Sequence, residues 1–264
     1  QWGFDRPRED TVDVGIGYAT HRLRIPEGLI TEKVIVAGAS RGRSLGLGML
    51  CVEDGTWGLT TFGVAKVEPP QDFSGMCALA NEILPPHLAG AVRQGEPIGD
   101  VAFHKYPTSR WRRYDKLERF PAGIIPFGDA VVSFNPTFGQ GMTMTSLQAG
   151  HLRQALQTPE PASDFNRATA KTTYPVWTMN AIGDLVLQGA SGPMPWWYRP
   201  VGNLFDQFLG AAETDPVLAE WFLRRFSLLD SLWMVPPARL VGRTVRHNMR
   251  LWLAEKRAGG NSPG

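Results

Sequence analysis

The residues best suited to chemistry lie between Gly128 and Met142. Ile124-Ile125-Pro126-Phe127 reads as an apolar strand running into Gly128-Asp129-Ala130. A constrained loop with Pro136, Gly139, Gln140 and Gly141 follows, and a helix is expected over residues 141–156. An ionised Asp129 carboxylate accepts hydrogen bonds from ligand hydroxyls. Gly139 and Gly141 lack a Cβ, so their backbone can come close to a ligand. Gln140 separates them without adding bulk at the backbone. The first N–H groups of the helix are free and carry a partial positive field. These groups suit a phosphate, a polarised carbonyl or the electron-rich edge of a flavin. A purely structural Gly-Asp turn, or a site for another cofactor, uses the same residues.

The elements that would hold this loop are legible from alternation. Val12, Val14 and Ile16 alternate with Asp13 and Gly15, and the pattern continues through His21-Arg22-Leu23-Arg24-Ile25. Such period-two spacing marks a strand with one covered face. Residues 33–37 read as another strand. Met49-Leu50-Cys51-Val52 and Trp57 to Phe62 flank Glu53-Asp54-Gly55-Thr56, a hairpin signal. Residues 73–92 are helical, interrupted at Pro85-Pro86. Asp100 to Tyr106 is a further strand, and Arg110 to Leu117 is expected to start a helix. Helices then dominate: 174–188, 204–209, 219–233 and 241–256.

The chain has 264 residues, 43% of them hydrophobic, enough for a sizeable core. A formal net charge of +2, without a dense basic stripe, argues against nucleic-acid binding. Cys51 and Cys77 outline neither a disulfide framework nor a zinc site, and a reduced, cytoplasmic setting fits them. The five histidines form no short-range metal pattern, so no metal is expected. No apolar run reads as a membrane span.

The whole stretch from Gly128 to Met142 resembles the carboxyl-side FAD signature of the aromatic-hydroxylase-like flavoprotein monooxygenases. In that family a strand leads through Gly-Asp-Ala to a proline-containing loop and Gly-X-Gly. The resemblance implies that Gly128 and Asp129 lie by the flavin ribityl and phosphate region, with Asp129 bonded to the ribityl chain. It places Pro136, Gly139, Gln140, Gly141 and Met142 along the isoalloxazine, with the backbone at Gly141 and Met142 facing the pyrimidine oxygen. It implies FAD as cofactor and NADPH or NADH as transient reductant. The substrate would be an aromatic, phenolic or polyketide-like molecule, oxidised through a flavin hydroperoxide. No catalytic side chain is assigned, and Asp129 is a binding group, not a proton donor.

The Gly-X-Gly-X-X-Gly start of a dinucleotide-binding unit is not recognisable. Gly15-Ile16-Gly17 lacks the third glycine and reads on into a strand, and Gly46-Leu47-Gly48 sits in another strand. The expectation is therefore an incomplete FAD/NAD(P)-binding flavoprotein fold of class α+β. It would combine a mixed or antiparallel substrate-side sheet, a flavin-binding strand-loop-helix and a helical carboxyl-terminal region. Residues 1–120 would form the sheet and its helices, 121–158 the flavin segment, 159–257 the helical region and 258–264 a flexible tail. A separate FAD-binding segment or partner subunit would complete the site. The alternative is a non-catalytic binding or assembly protein that keeps part of the scaffold.

Several other residues have both a site reading and a packing reading. His21, His104 and Tyr106 could line the substrate side, although packing explains them as well. Arg110, Arg112 and Arg113 could meet a nicotinamide phosphate, or form surface ion pairs. Trp196, Trp197 and Tyr198 could line a hydrophobic tunnel or fill a core. The basic, apolar segment 241–256 could lie on an anionic membrane or pack against the protein.

Overall fold

The computed structural model describes residues 3–231 and 233–259. Its centre is one six-stranded sheet in the order β2-β3-β4-β1-β5-β6. The strands are β1 (Glu9–Arg24), β2 (Val34–Ala37), β3 (Leu45–Cys51), β4 (Trp57–Gly63), β5 (Glu96–Arg112) and β6 (Val132–Ser133). Every ladder is antiparallel. β1 and β5, of 16 and 17 residues, form the long central pair. Their register shifts between Asp13 and Ile16 and again between Thr20 and Arg22. Along β1 the buried residues change from Val12, Val14 and Ile16 to Ala19, His21 and Leu23, so the inward parity switches between Ile16 and Ala19, in the stretch between the two irregularities.

That switch divides the core. Leu23, Leu47, Met49 and Leu59 pack with Met76, Ala80, Leu88 and Val92 of α1 (Phe73–Ile83) and α2 (Pro86–Gln94). Asp72 caps α1 by accepting from the Gly75 N–H at 2.7 Å. Pro85 and Pro86 separate the two helices, with Pro86 at the first turn of α2. At the other end of the sheet, Val12, Val14, Ile16, Trp111 and Phe134 pack against Val176, Trp177 and Ile182 of α4 (Pro161–Ile182) and Met144 of α3 (Gly141–Ala155). α4 continues into a wider turn, Gly183–Leu187. A third cluster joins α5 (Tyr198–Ala212), α6 (Pro216–Phe226) and α7 (Ala238–Gly259) through Phe208, Ala211, Leu218, Trp221 and Leu240.

Four expectations change. Ile124–Phe127 is not a strand, because β6 pairs only with β5 and leaves the segment without a ladder. Its side chains find partners instead: Phe127 stacks on Phe165 of α4 with ring centroids 6.2 Å apart. Arg110–Arg112 ends β5 rather than starting a helix, because Trp111 alternates inward into the core while its neighbours face out. Only a short turn, Tyr114–Lys116, follows. The expected helix 219–233 stops at Phe226, where Leu228 takes a positive φ of 58°. α7 reaches Gly259, two residues into the expected tail, and 260–264 lie outside the described residues. No helix among the described residues is long and apolar enough to cross a membrane.

Gly63 ends β4 where the chain turns back over itself, and a Cβ there would collide with the Val67 carbonyl. The obstacle is backbone and cannot rotate away. Gly63→Ala is expected to destabilise by about 1–3 kcal/mol and to lower Tm by about 3–10 °C. Thermal denaturation followed by circular dichroism checks this; an unchanged Tm would show that the turn is free to move.

Candidate flavin-binding loop

The loop is held from behind at three buried points. Gly128, at φ 61°, donates its N–H to Gln148 Oε1 of α3 at 2.7 Å. Asn135 Oδ1 accepts from the Thr137 N–H and hydroxyl at 3.0 and 2.7 Å, closing the turn Pro136–Phe138. Its Nδ2 donates to Asp184 Oδ1 at 2.7 Å. Gln140 Nε2 donates to the Phe226 carbonyl at the end of α6, at 2.8 Å. Asn135, Gln140 and Gln148 are all buried.

The front of the loop is open. Gly139 takes a left-handed φ of 66°, which only glycine adopts without strain. A Cβ built on Gly139 or Gly141 would meet nothing within 4 Å. α3 begins at Gly141 without a side-chain cap, so its first N–H groups are unspent. Met142 is 86% exposed, which removes the core-filling role for its side chain. Pro136 is exposed on the same loop.

Asp129 is exposed, and its carboxylate ends a short relay. Tyr106 Oη donates to Ser133 Oγ at 2.9 Å, and Ser133 Oγ donates to Asp129 Oδ2 at 3.5 Å. Burial pushes the Tyr106 phenol up from its ordinary value, so it stays a donor. The Arg112 guanidinium donates to the Asp129 and Ala130 carbonyls at 3.3 and 3.1 Å, fixing the backbone and leaving the carboxylate free of it.

Behind the loop lies a polar cluster that sequence reasoning did not single out. Asp184 is 1% exposed, in the wide turn after α4, and Asn135 is its hydrogen-bond partner. Burial pushes its carboxyl up to about 7, against the lowering effect of the Asn135 bond. It shares a narrow void, too small for a water-sized sphere, with Ser109 and Asn180. The side-chain oxygens and nitrogen of those two residues lack partners. A protonated Asp184 has a hydroxyl to donate into that space. Burial also pushes the Tyr18 phenol upward, with Tyr106 and Asp184 adding to it. The only signal in the sequence was an acidic residue in an otherwise apolar helical run.

His21 is buried and bonds the Gly99 carbonyl at 2.9 Å. His104 is exposed beside Tyr18. Arg110 and Arg112 pair with Glu9 at 3.4 and 3.2 Å, and Arg113 pairs with Asp10 and Asp115 at 3.1 and 2.8 Å. Trp196 is exposed, while Trp197 and Tyr198 meet edge to face at 4.6 Å. Among the described residues no three His, Cys, Asp or Glu side chains gather as a metal site.

Against known proteins, residues 192–258 match the family model described as the Mycobacterium Rv3254 C-terminal domain. Protein Rv3254 of Mycobacterium tuberculosis (strain ATCC 25618 / H37Rv) is 68% identical over 264 residues, covering 97% of this chain and 56% of that protein. The chain thus spans about half the length of the curated relative it matches. Among solved structures, the flavin-dependent brominase Bmp2 aligns with a TM-score of 0.51 at 12% identity, over 93% of this chain and 59% of that one. The Diels-Alderase PyrE3 of the pyrroindomycin biosynthetic pathway aligns at 0.50 and 15% identity, over 84% of this chain and 46% of that one. The mixed helices and antiparallel sheet are similar to the folds of flavin-dependent enzymes.

The Asp184 carboxyl gives stability a pH dependence of definite sign. Its folded value of about 7 lies above the ordinary value of 3.8, so the folded state holds the proton more tightly than the unfolded state. The stabilisation is complete below pH 3.8 and is lost as pH rises through about 7. The loss is at most about 4 kcal/mol. Asp184→Asn, which keeps a neutral hydrogen-bonding group, is expected to flatten the fall in Tm between pH 5 and 8. A variant as pH-sensitive as the wild type would contradict this.

Proposed function

We propose that the Gly128–Met142 loop forms one wall of a flavin site in an FAD-dependent, monooxygenase-like oxidoreductase. The observation that carries this reading is the open backbone at Gly139 and Gly141, set on the uncapped start of α3. A planar, electron-rich group can approach there without meeting a side chain. The amides of Gly141 and Met142 would face its pyrimidine edge. Asp129 would accept from a ribityl hydroxyl, with Gly128 beside it. Pro136, Gly139 and Gln140 would fix the loop along the ring.

A bound flavin would supply the redox chemistry, with NADPH or NADH as reductant. The protein's part is to bind, orient and exclude water. Asn135 and Gln140 hold the loop so that the amides need not reorganise when ligand arrives. The Tyr106–Ser133 relay orients the Asp129 carboxylate. A hydrophobic or aromatic small molecule is the proposed substrate class, which rests on the family resemblance. Completion of the site by a further FAD-binding segment or partner subunit is part of the same proposal.

Fluorescence titration with FAD tests the loop. Asp129→Ala removes one hydrogen bond to a charged group and is expected to weaken binding by about 1.5 kcal/mol, roughly tenfold. Gly141→Val fills the open approach and is expected to weaken it at least as much. Tm should stay within about 2 °C of wild type for Asp129→Ala, because its carboxylate is exposed. With the completing FAD-binding segment supplied, no FAD binding, or affinity in both variants equal to wild type, would sink the reading. In that case the scaffold would serve binding or assembly.

A further inference from the structure

The clearest unassigned feature is a cleft of about 590 Å³ between α6 and α7, lined in part by Trp221 and Leu240 of the third core cluster. It lies within the segment that matches the C-terminal domain model. Its lining includes Arg224 and Arg225 from the last turn of α6, and Arg239, Arg243 and Arg246 from α7. The three on α7 recur at i, i+4 and i+7, so they share one helical face. Glu220 and Asp230 are the two carboxylates in the lining.

The charges do not balance. Asp230 is taken by Arg224, through contacts of 2.9 and 3.0 Å, with Arg225 at 3.8 Å. Arg243 pairs with Asp215, the cap of α6. Among the described residues, Arg239 and Arg246 have no carboxylate partner. Guanidinium groups do not relieve crowding by losing a proton. The cleft is also short of acceptors: Trp221 Nε1 and Arg225 Nε are buried donors without partners. Trp221 is 9% exposed and its ring carries the Arg225 guanidinium at 4.4 Å.

We propose that this cleft binds a phosphoryl anion. A group with several acceptor oxygens answers the surplus of fixed donors, and guanidinium forks match phosphate geometry. The volume exceeds that of a single phosphate and suits a phosphate ester or pyrophosphate. Two sources share this chemistry: a soluble phosphate compound and the headgroup of an anionic phospholipid. Val241, Val245, Met249 and Trp252 form an exposed apolar stripe on another face of α7, at i, i+4, i+8 and i+11, so it does not decide between the two.

Calorimetric titration with inorganic pyrophosphate, and sedimentation with phosphatidylglycerol or phosphatidylcholine vesicles, tests the proposal at constant ionic strength. Wild type is expected to bind pyrophosphate or phosphatidylglycerol vesicles saturably. Arg239→Gln with Arg246→Gln removes no ion pair and is expected to weaken that binding at least tenfold. Arg246→Glu, which reverses one charge, should do the same, with circular dichroism confirming the fold of both. Lys33→Gln with Lys171→Gln, on exposed sites elsewhere, should change affinity less than twofold. Pyrophosphate binding identifies a soluble source; binding to phosphatidylglycerol alone identifies a headgroup. No saturable binding of either probe would overturn the proposal. So would equal binding by the arginine variants, equal loss in the lysine control, or equal binding to phosphatidylcholine.

Discussion

The candidate site depends on one buried contact, the hydrogen bond from Asn135 Nδ2 to Asp184 Oδ1. Asn135 uses both ends of its amide: the oxygen closes the turn Pro136–Phe138 and the nitrogen reaches the wide turn after α4. The turn delivers Gly139 into its left-handed conformation, and Gly139 sets where α3 can begin. A change in Asn135 would therefore move the helix start, although Asn135 itself lies behind the loop. The contact also ties a backbone scaffold to a carboxyl that titrates near neutrality. Burying a carboxyl beside apolar groups is tolerable when it keeps its proton.

The loop's polar groups divide by depth. Of those facing inward, Asn135 uses both ends of its amide, while Gln140 and Gln148 each bond through one end and leave Gln140 Oε1 and Gln148 Nε2 without a partner. Those facing outward, the Asp129 carboxylate and the first amides of α3, are lightly used. Such a division fixes geometry before a ligand arrives and leaves hydrogen-bonding capacity for it. The long β1–β5 pair serves the same end: its final residues carry β6, and Arg112 pins the backbone at Asp129 and Ala130.

Much of this was legible in the sequence. Alternation located β1, and Asp54-Gly55 located the β3–β4 hairpin, where Gly55 has a φ of 76°. Gly139-Gln140-Gly141 located the start of α3 within a residue. Ile124–Phe127 failed because strand character needs a neighbouring strand as well as apolar residues, and here the pairing is absent. Arg110–Arg112 failed because basic-aromatic alternation has a strand period that was outweighed by a helical composition. The role of Asp184 was hidden because its partner, Asn135, is 49 residues away. Exposure of the α7 stripe was hidden for a related reason, since an apolar periodicity does not say whether a neighbour covers it.

The central claim is that the open backbone at the start of α3 receives a flavin. Backbone amide NMR during titration with FAD tests it most directly. The account predicts that the largest shifts fall on Gly139, Gly141 and Met142, with a second group at Gly128 and Asp129. The shifts should saturate together at a single affinity. Saturable shifts confined to the α6–α7 cleft, or no shifts at the α3 start, would contradict it.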